Sequence, residues 1–180
     1  MASAIHVRVS TMNEADVVDA LLENSEVAFG LAAPYESSPS LHYTELFAMN
    51  WKLIAPRRHL LAAARGTTRL SQIAEHPLIL YEKGSTGRQH VLDAFHQQGL
   101  APIVALETTS TETVVSMVEA GLGVSVVPLM SNGAVTRNRR VEVRSIEDDI
   151  RPIHSGVLIR RGETPAAPVA RLLAFIKSRF

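Results

Sequence analysis

The stretch from residue 107 to residue 130 constrains the fold more than any other part of the chain. It reads E-T-T-S-T-E-T-V-V-S-M-V-E-A-G-L-G-V-S-V-V-P-L-M, so an amphipathic segment is followed at once by a β-branched run. Thr109 and Glu112 have the spacing of a capping box, which predicts a helix start. Gly121 suits the left-handed residue that ends a helix, and Pro128 closes the apolar run. This succession predicts an α/β sheet that is buried on both faces.

The rest of the chain alternates short apolar runs with amphipathic segments, which predicts an α/β fold with mostly parallel strands. The predicted strands are Ile5–Val9, Val27–Ala33, Leu53–Ala55, Leu78–Tyr81, Ile103–Leu106, Val124–Val127, Val141–Val143 and Val157–Ile159. The predicted helices are Thr11–Asn24, Leu70–Glu75, Arg88–Gln98, one that follows Thr109, and one that Thr164 and Pro165 open. The segment Pro34–Ser40 is rich in proline and serine and predicts a loop.

Composition excludes several classes of protein. The chain has 180 residues and is 46% hydrophobic, which supports a packed core and excludes disorder. Lys plus Arg (18) balance Asp plus Glu (18), so the electrostatic signature of a nucleic-acid-binding domain is missing. The chain contains no cysteine, and no apolar run approaches the ~18 residues that span a bilayer. The first four residues lack the features of a signal peptide, so we expect a cytoplasmic protein with no membrane partner.

One segment has the residues of a ligand-binding turn. Residues 82–88, E-K-G-S-T-G-R, follow a predicted strand and precede a predicted helix. The hydroxyls of Ser85 and Thr86 at a helix N-terminus suit an anion, and Gly84 and Gly87 allow the backbone to approach a ligand closely. The spacing differs from that of the phosphate loop of nucleotide hydrolases. The residues alone are equally compatible with a capped turn that holds no ligand.

Two further pairs of hydroxyl-bearing residues stand between a predicted strand and a predicted helix. They are Ser10 with Thr11, and Thr108 with Thr109. For Ser10 and Thr11 alone, a helix cap is favoured over a ligand contact. Open α/β sheets bind ligands beyond the carboxyl ends of their strands, so three such turns favour a common site.

Enzymatic, metal and cofactor sites are disfavoured. The chain has seven histidines, but no pair has the i,i+4 spacing of H-E-x-x-H, and His90 and His96 are six residues apart. Ser85 is not part of a G-x-S-x-G nucleophile elbow. Gly121-Leu122-Gly123 follows a helix, whereas a dinucleotide-binding fingerprint follows a strand. We therefore predict no catalytic residue, no metal and no cofactor.

The ordered motifs resemble a known family. V-x-x-M-V-E-A-G-L-G-V-S-V-V-P at Val114–Pro128, with His76–Ile79 and Gly84–Arg88, resembles the effector-binding domain of LysR-type transcriptional regulators, particularly their sulfur-metabolism branch. The resemblance runs from about Ile5 to the C-terminus. It implies two Rossmann-like lobes of the type II periplasmic-binding-protein kind, with lobe I at residues 1–51 and 151–180 and lobe II at residues 52–150.

The resemblance also implies a function. A small anionic or polar metabolite would bind between the lobes and change how the intact regulator acts on DNA. DNA would be contacted only through a helix-turn-helix absent from this chain, and the protein would be a homo-oligomer. The implied ligand contacts are Ser10, Thr11, Pro34, Gly84, Ser85, Thr86, Gly87, Thr108 and Thr109. A periplasmic-type solute-binding protein and a small enzyme on the same fold are the alternatives.

The chain departs from the family pattern in its first part. The family's effector domain has a β-α unit ahead of the segment that matches Ile5, so lobe I is expected to be incomplete at the N-terminus. Ile5–Val9 would then pair with Val27–Leu31, or pair with another molecule along an exposed edge. Ala28 stands where the family usually has an acidic residue, and the exit at Pro34 is apolar. Both changes weaken the expectation of the polar or inorganic effector of the sulfur branch.

Overall fold

The structure is a computed structural model that describes residues 6–63, 65–130, 133–147 and 150–180. Its helices are α1 Glu14–Glu23, α2 Leu60–Ala63, α3 Leu70–Ile73, α4 Thr86–Gln97, α5 Thr111–Glu119 and α6 Ala167–Lys177. Its strands are β1 Gly30–Ala32, β2 Leu41–Pro56, β3 Pro77–Tyr81, β4 Ile103–Thr108, β5 Ser125–Leu129, β6 Val141–Ser145 and β7 Ile153–Arg160. None of the helices described is long and apolar enough to cross a membrane.

The chain divides into two compact units. The first unit comprises Met1–Phe47 and His154–Phe180, and the second unit comprises Ala48–Ile153. In the first unit, β1 pairs antiparallel with β7, and β7 also neighbours β2. Helix α1 packs on β1 at Gly30, where an added Cβ would lie 2.5 Å from Val17 Cγ1. The apolar cluster that results is small: Leu21, Ala32, Leu41 and Leu158.

The second unit contains the stretch that dominates the sequence. Gly121 has φ +82° where α5 ends, as predicted for a glycine stop. Gly123 lies against β3, since an added Cβ would be 2.5 Å from the carbonyl oxygen of Pro77. The strand that follows is buried along most of its length, and the Ser125 hydroxyl donates to the carbonyl of Ile79 at 2.7 Å. The prediction of a helix, a glycine stop and a buried strand is confirmed, although β5 runs through Pro128 to Leu129 because proline's backbone is compatible with a strand end.

Strand direction is where the sequence prediction is wrong. The pairs β1–β7, β2–β5 and β2–β6 are antiparallel, and only β3–β4 is parallel among the strand pairs with a described register. The long strand β2 accounts for the difference. Only its end was predicted, at Leu53–Ala55, because most of its earlier residues are at least partly exposed and do not alternate regularly between apolar and polar. Its last residues, Asn50–Pro56, lie in the second unit and pair with β5 and β6.

The predicted strand Ile5–Val9 does not form across residues 6–9, and Ile5 itself lies outside the described residues. Val7 and Val9 are exposed, with 50% and 82% of their surface accessible. Their alternation with polar residues is typical of a strand, but a strand needs a hydrogen-bonding neighbour, and β1 pairs with β7 instead. Pairing of residues 6–9 with Val27–Leu31 is therefore wrong, whereas pairing with another molecule stays a prediction.

Helix starts are shifted from their predicted residues by one to three positions. Helix α1 begins after Asn13, whose side chain accepts from the Asp16 amide at 2.9 Å, rather than after Thr11. Helix α6 begins at Ala167 with a proline in its first turn, not at Thr164 and Pro165. An asparagine is a stronger cap than a threonine, and Pro168 satisfies the same first-turn preference as Pro165.

Candidate functional site

The parallel strands β3 and β4 end side by side in the second unit. Their last residues, Tyr81 and Thr108, are direct partners in the strand register. The amide of Glu82 then donates to the carbonyl of Thr108 at 3.0 Å. Residues 82–87, here named the α4 turn, and residues 108–111, here named the α5 turn, therefore lie at one edge of the sheet. Both lead directly into a helix N-terminus.

The α4 turn has the geometry that its glycines and hydroxyls predict. Gly84 has φ +86°, in the left-handed region that favours glycine. Ser85 is the N-cap of α4, and its hydroxyl accepts from the Gly87 amide at 3.2 Å. Thr86 opens the helix and is buried. An added Cβ at Gly87 would lie 2.8 Å from Tyr81 Cδ2, so this glycine permits close packing of an aromatic ring.

The α5 turn differs from the prediction in its cap. Thr108 is the last residue of β4 and is half-buried, and Thr109 is exposed. The N-cap is Ser110, whose hydroxyl accepts from the Thr113 amide at 3.2 Å and lies 3.0 Å from the Thr113 hydroxyl. The capping-box pattern of Thr109 with a glutamate three residues later obscured the serine, because S-x-x-T is a weaker sequence signal than T-x-x-E.

Two further residues stand at this edge that sequence reasoning did not single out. The phenol oxygen of Tyr81 lies 2.7 Å from the hydroxyl of Thr111, the first residue of α5. Arg88 Nη1 donates to the carbonyl of Tyr81 at 2.9 Å and pairs with Glu107 Oε1 at 2.8 Å. Arg88 is therefore engaged by two acceptors at this edge.

His90 lies further along α4 and is buried. Burial lowers its pKa, and the nearby Arg151 cation lowers that pKa further, while a hydrogen bond with the Arg151 backbone opposes both effects. Trp51 Nε1 donates to the Arg151 carbonyl at 2.8 Å, and its ring centroid lies 6.1 Å from that of His90. His90 is thus a hydrogen-bonded core histidine. Across the described ranges, no group of three or more His, Cys, Asp or Glu side chains is arranged to hold a metal.

The predicted site residues divide between the units. Gly84, Ser85, Thr86, Gly87, Thr108 and Thr109 belong to the second unit, and the strand register brings them together. Ser10, Thr11 and Pro34 belong to the first unit. Ser10 and Thr11 are exposed and precede α1, but they do not form a strand-to-helix turn because residues 6–9 form no strand. Pro34 is half-buried in the loop after β1.

Comparison with known proteins identifies the family of this chain. The chain matches the family described as LysR substrate binding domain over residues 2–180. It is 35% identical over 118 residues to the HTH-type transcriptional regulator cbl of Klebsiella aerogenes, which is 65% of this chain and 37% of that relative. The cofactor-binding domain of the Cbl transcriptional regulator has a similar structure, with a TM-score of 0.80, 25% identity, and coverage of 94% of this chain and 73% of that chain. The CcmR regulatory domain of Synechocystis PCC6803 in complex with 2-PG has a TM-score of 0.81 at 20% identity, with coverage of 93% and 79%.

These similarities confirm the predicted α/β fold of the type II periplasmic-binding kind and the sulfur-related branch that includes Cbl. The segment of the chain that matches cbl covers 37% of the length of that relative, little more than a third. The family match covers almost every residue of the chain. The chain belongs to the LysR substrate-binding-domain family, that is, to the effector-binding domains of LysR-type transcriptional regulators.

Proposed function

We propose that this chain senses a small anionic or polar metabolite for a LysR-type regulator, with the α4 turn and the α5 turn as a principal contact surface. One observation carries this proposal: the pairing of Tyr81 with Thr108 sets two hydroxyl-bearing turns and two helix N-termini at the same strand edge. Helix N-termini present backbone amides and the positive end of the helix dipole, and both favour anionic groups. The similar fold of CcmR, which was solved with 2-PG, supports a small ligand.

Individual residues have distinct expected roles. The effector would contact the hydroxyls of Ser85, Thr86, Thr108 and Thr109. Gly84 would permit the left-handed backbone of the α4 turn, and Gly87 the close packing of Tyr81. Ser10, Thr11 and Pro34 in the first unit stay predictions that depend on the family resemblance.

The effector would act by shifting populations. A ligand changes a conformational equilibrium only by its difference in affinity for the two states. In the intact regulator, this shift would change transcription through a DNA-binding helix-turn-helix outside this chain, in a cytoplasmic homo-oligomer. The relatives are named as transcriptional regulators, so we propose no enzymatic activity.

The test compares two threonine-to-valine variants of the second unit. Thr86 opens α4 and is buried, whereas Thr68 is fully buried and its hydroxyl has no hydrogen-bond partner among the described residues. Both substitutions keep the side-chain shape, but only Thr86→Val removes a hydroxyl of the proposed site. The probe is potassium sulfate, titrated at constant ionic strength against potassium chloride and followed by the ¹⁵N shifts of the two turns.

We expect sulfate to shift the amides of both turns in the wild-type chain. Thr86→Val should weaken this binding by roughly five- to 150-fold if a ligand atom loses its partner. Thr68→Val should bind sulfate as the wild type does. Wild-type affinity in Thr86→Val would remove this hydroxyl from the site, and unmoved amides in the wild type would contradict an anion site at these turns.

A further inference from the structure

We infer that Tyr81 is a positioning residue that ties the first turn of α4 to the first turn of α5, so that the two turns meet an effector as one preformed surface. The inference rests on the proposed function, because it concerns the same strand edge. It adds a residue that acts through its neighbours and need not touch the ligand itself.

The first contact of Tyr81 is with α5. Tyr81 ends β3, and its phenol oxygen lies 2.7 Å from the hydroxyl of Thr111, the first residue of α5. Only 7% of its surface is accessible, and a buried phenol hydroxyl requires a polar partner. Here that partner lies at the start of a neighbouring helix, one residue beyond the Ser110 cap.

The second contact of Tyr81 is with α4. Its ring packs so tightly on Gly87 that an added Cβ would lie 2.8 Å from Cδ2 and 3.0 Å from Cε2. Its carbonyl accepts from Arg88 Nη1 at 2.9 Å, and Arg88 is held in turn by Glu107. The ring and the carbonyl of one residue therefore fix the first turn of α4, while its hydroxyl reaches α5.

The tie has an energetic consequence for binding. A ligand that contacts two separate turns must order both of them, and this ordering reduces affinity unless the turns are already fixed. The strand register and the bond from Glu82 to Thr108 fix where the strands end. Tyr81 fixes where the two helices begin relative to each other.

A simpler role for Tyr81 is core packing, because its ring belongs to the cluster that includes Val114 and Val115. Phenylalanine would perform that role equally well. The tie needs the hydroxyl as well as the ring, because only the hydroxyl reaches α5, so Tyr81→Phe breaks the tie and keeps the packing. Thr111→Val removes the same contact from the other side, and Thr111→Ser keeps it.

The experiment uses the 180-residue chain and these three variants, with Tyr43→Phe as the matched control. The Tyr43 hydroxyl donates to the carbonyl of His154 at 2.6 Å in the first unit, so its loss also removes one tyrosine hydrogen bond. Two quantities are measured: amide hydrogen exchange at Gly87 and Thr113, which donate the two cap bonds, and the midpoint of the sulfate titration followed at both turns.

We expect Tyr81→Phe and Thr111→Val to speed exchange at Thr113 and to weaken sulfate binding by roughly two- to tenfold. The Gly87 amide should exchange as in the wild type, because both variants keep the ring packed against it. Thr111→Ser and Tyr43→Phe should resemble the wild type in both measurements. Wild-type behaviour of Tyr81→Phe in either measurement, or an equal effect of Tyr43→Phe, would overturn the inference. If sulfate moves no amide in the wild type, the proposed site fails, and the exchange rates alone still decide whether the two helix starts are tied.

Discussion

The two units of this chain differ in how completely they bury their apolar side chains. Among the described residues, Leu21 is the only side chain of the first unit that ranks with the largest fully buried ones. The others lie in the second unit: Phe95, Leu53, Ile54, Leu70, Ile73, Leu78, Ile79, Leu80, Val91, Val114 and Val115. Among the described residues, the larger second unit exposes five large apolar side chains and the first unit exposes seven: Val7, Val9, Met12, Leu22, Leu31, Phe175 and Phe180.

This difference places the candidate ligand turns on the better-packed unit. A binding surface is most effective when packed neighbours hold its residues in place. The α4 turn follows the buried strand β3, and the α5 turn follows its partner β4, which is largely exposed. Local opening concentrates where few apolar contacts are buried. We therefore expect the second unit to behave as a rigid platform and the first unit to open more readily.

The largest difference is expected between two phenylalanine-to-alanine variants. Phe95 on α4 is fully buried, whereas Phe175 on α6 is 55% exposed. Phe95→Ala should lower the free energy of unfolding by about 3–5 kcal/mol, because it removes apolar contacts and leaves a cavity. Phe175→Ala should cost less than about 1 kcal/mol, although it also removes the Arg179 guanidinium contact 4.5 Å from its ring centroid. Urea unfolding measures the free energy of unfolding of both variants. Equal losses would contradict the difference in packing between the two units.

A smaller difference is expected between two glycine-to-alanine variants with the same crowding. An added Cβ would lie 2.5 Å from its nearest atom at Gly123 and at Gly30. At Gly123 the obstacle is the Pro77 backbone carbonyl within the second unit, whereas at Gly30 it is the Val17 side chain. Gly123→Ala should therefore cost about 1–3 kcal/mol, and Gly30→Ala less, since a side chain on α1 can move. A larger loss in Gly30→Ala, measured by urea unfolding, would show that the first unit is the more rigid one.

The smallest effect concerns pH. Burial and Arg151 hold the pKa of His90 below its ordinary value of 6.5 in the folded chain. The unfolded chain therefore binds the proton more tightly, so this contribution to stability is complete above 6.5 and is lost as pH falls from 6.5 towards the folded pKa. Burial and His76 lower the pKa of His59 in the same direction.

Trp51 provides the readout, since it is the single tryptophan of the chain and lies beside His90. Urea midpoints from its fluorescence should fall on acidification more steeply in the wild type than in His90→Asn. The variant retains the His59 contribution and so isolates that of His90. Identical pH profiles would show that His90 is not held neutral by its surroundings.

The sequence predicted those features that neighbouring residues determine. The glycine stop at Gly121, the buried run at Val124–Val127, and the turn at Ser85 and Thr86 each depend on residues within a few positions of one another. The long strand β2 was mostly missed because its early residues do not alternate regularly between apolar and polar. Its pairing with β5 and β6 is set by tertiary contacts that its own pattern does not encode.

The candidate site shows the same limit. Hydroxyl-rich strand-to-helix turns were visible in the sequence, but the contact of Tyr81 with Thr111 joins residues 30 positions apart and has no local signal. The alternation at residues 6–9 is a real local pattern, yet no neighbouring strand pairs with it in the described chain. A periodic pattern therefore predicts a strand only where the fold supplies a partner.

Native-state amide exchange of the dilute chain tests the contrast between the units most directly. We predict the slowest exchange in β3, in β5 and at the buried residues of helices α4 and α5, and markedly faster exchange across residues 6–33 and 154–180. Exchange should also be slow at the amides of Ile79 and Val124, which bond across β3 and the start of β5. Equal protection of the two units would contradict this prediction, because it would mean that the first unit is as completely packed as the one that carries the candidate site.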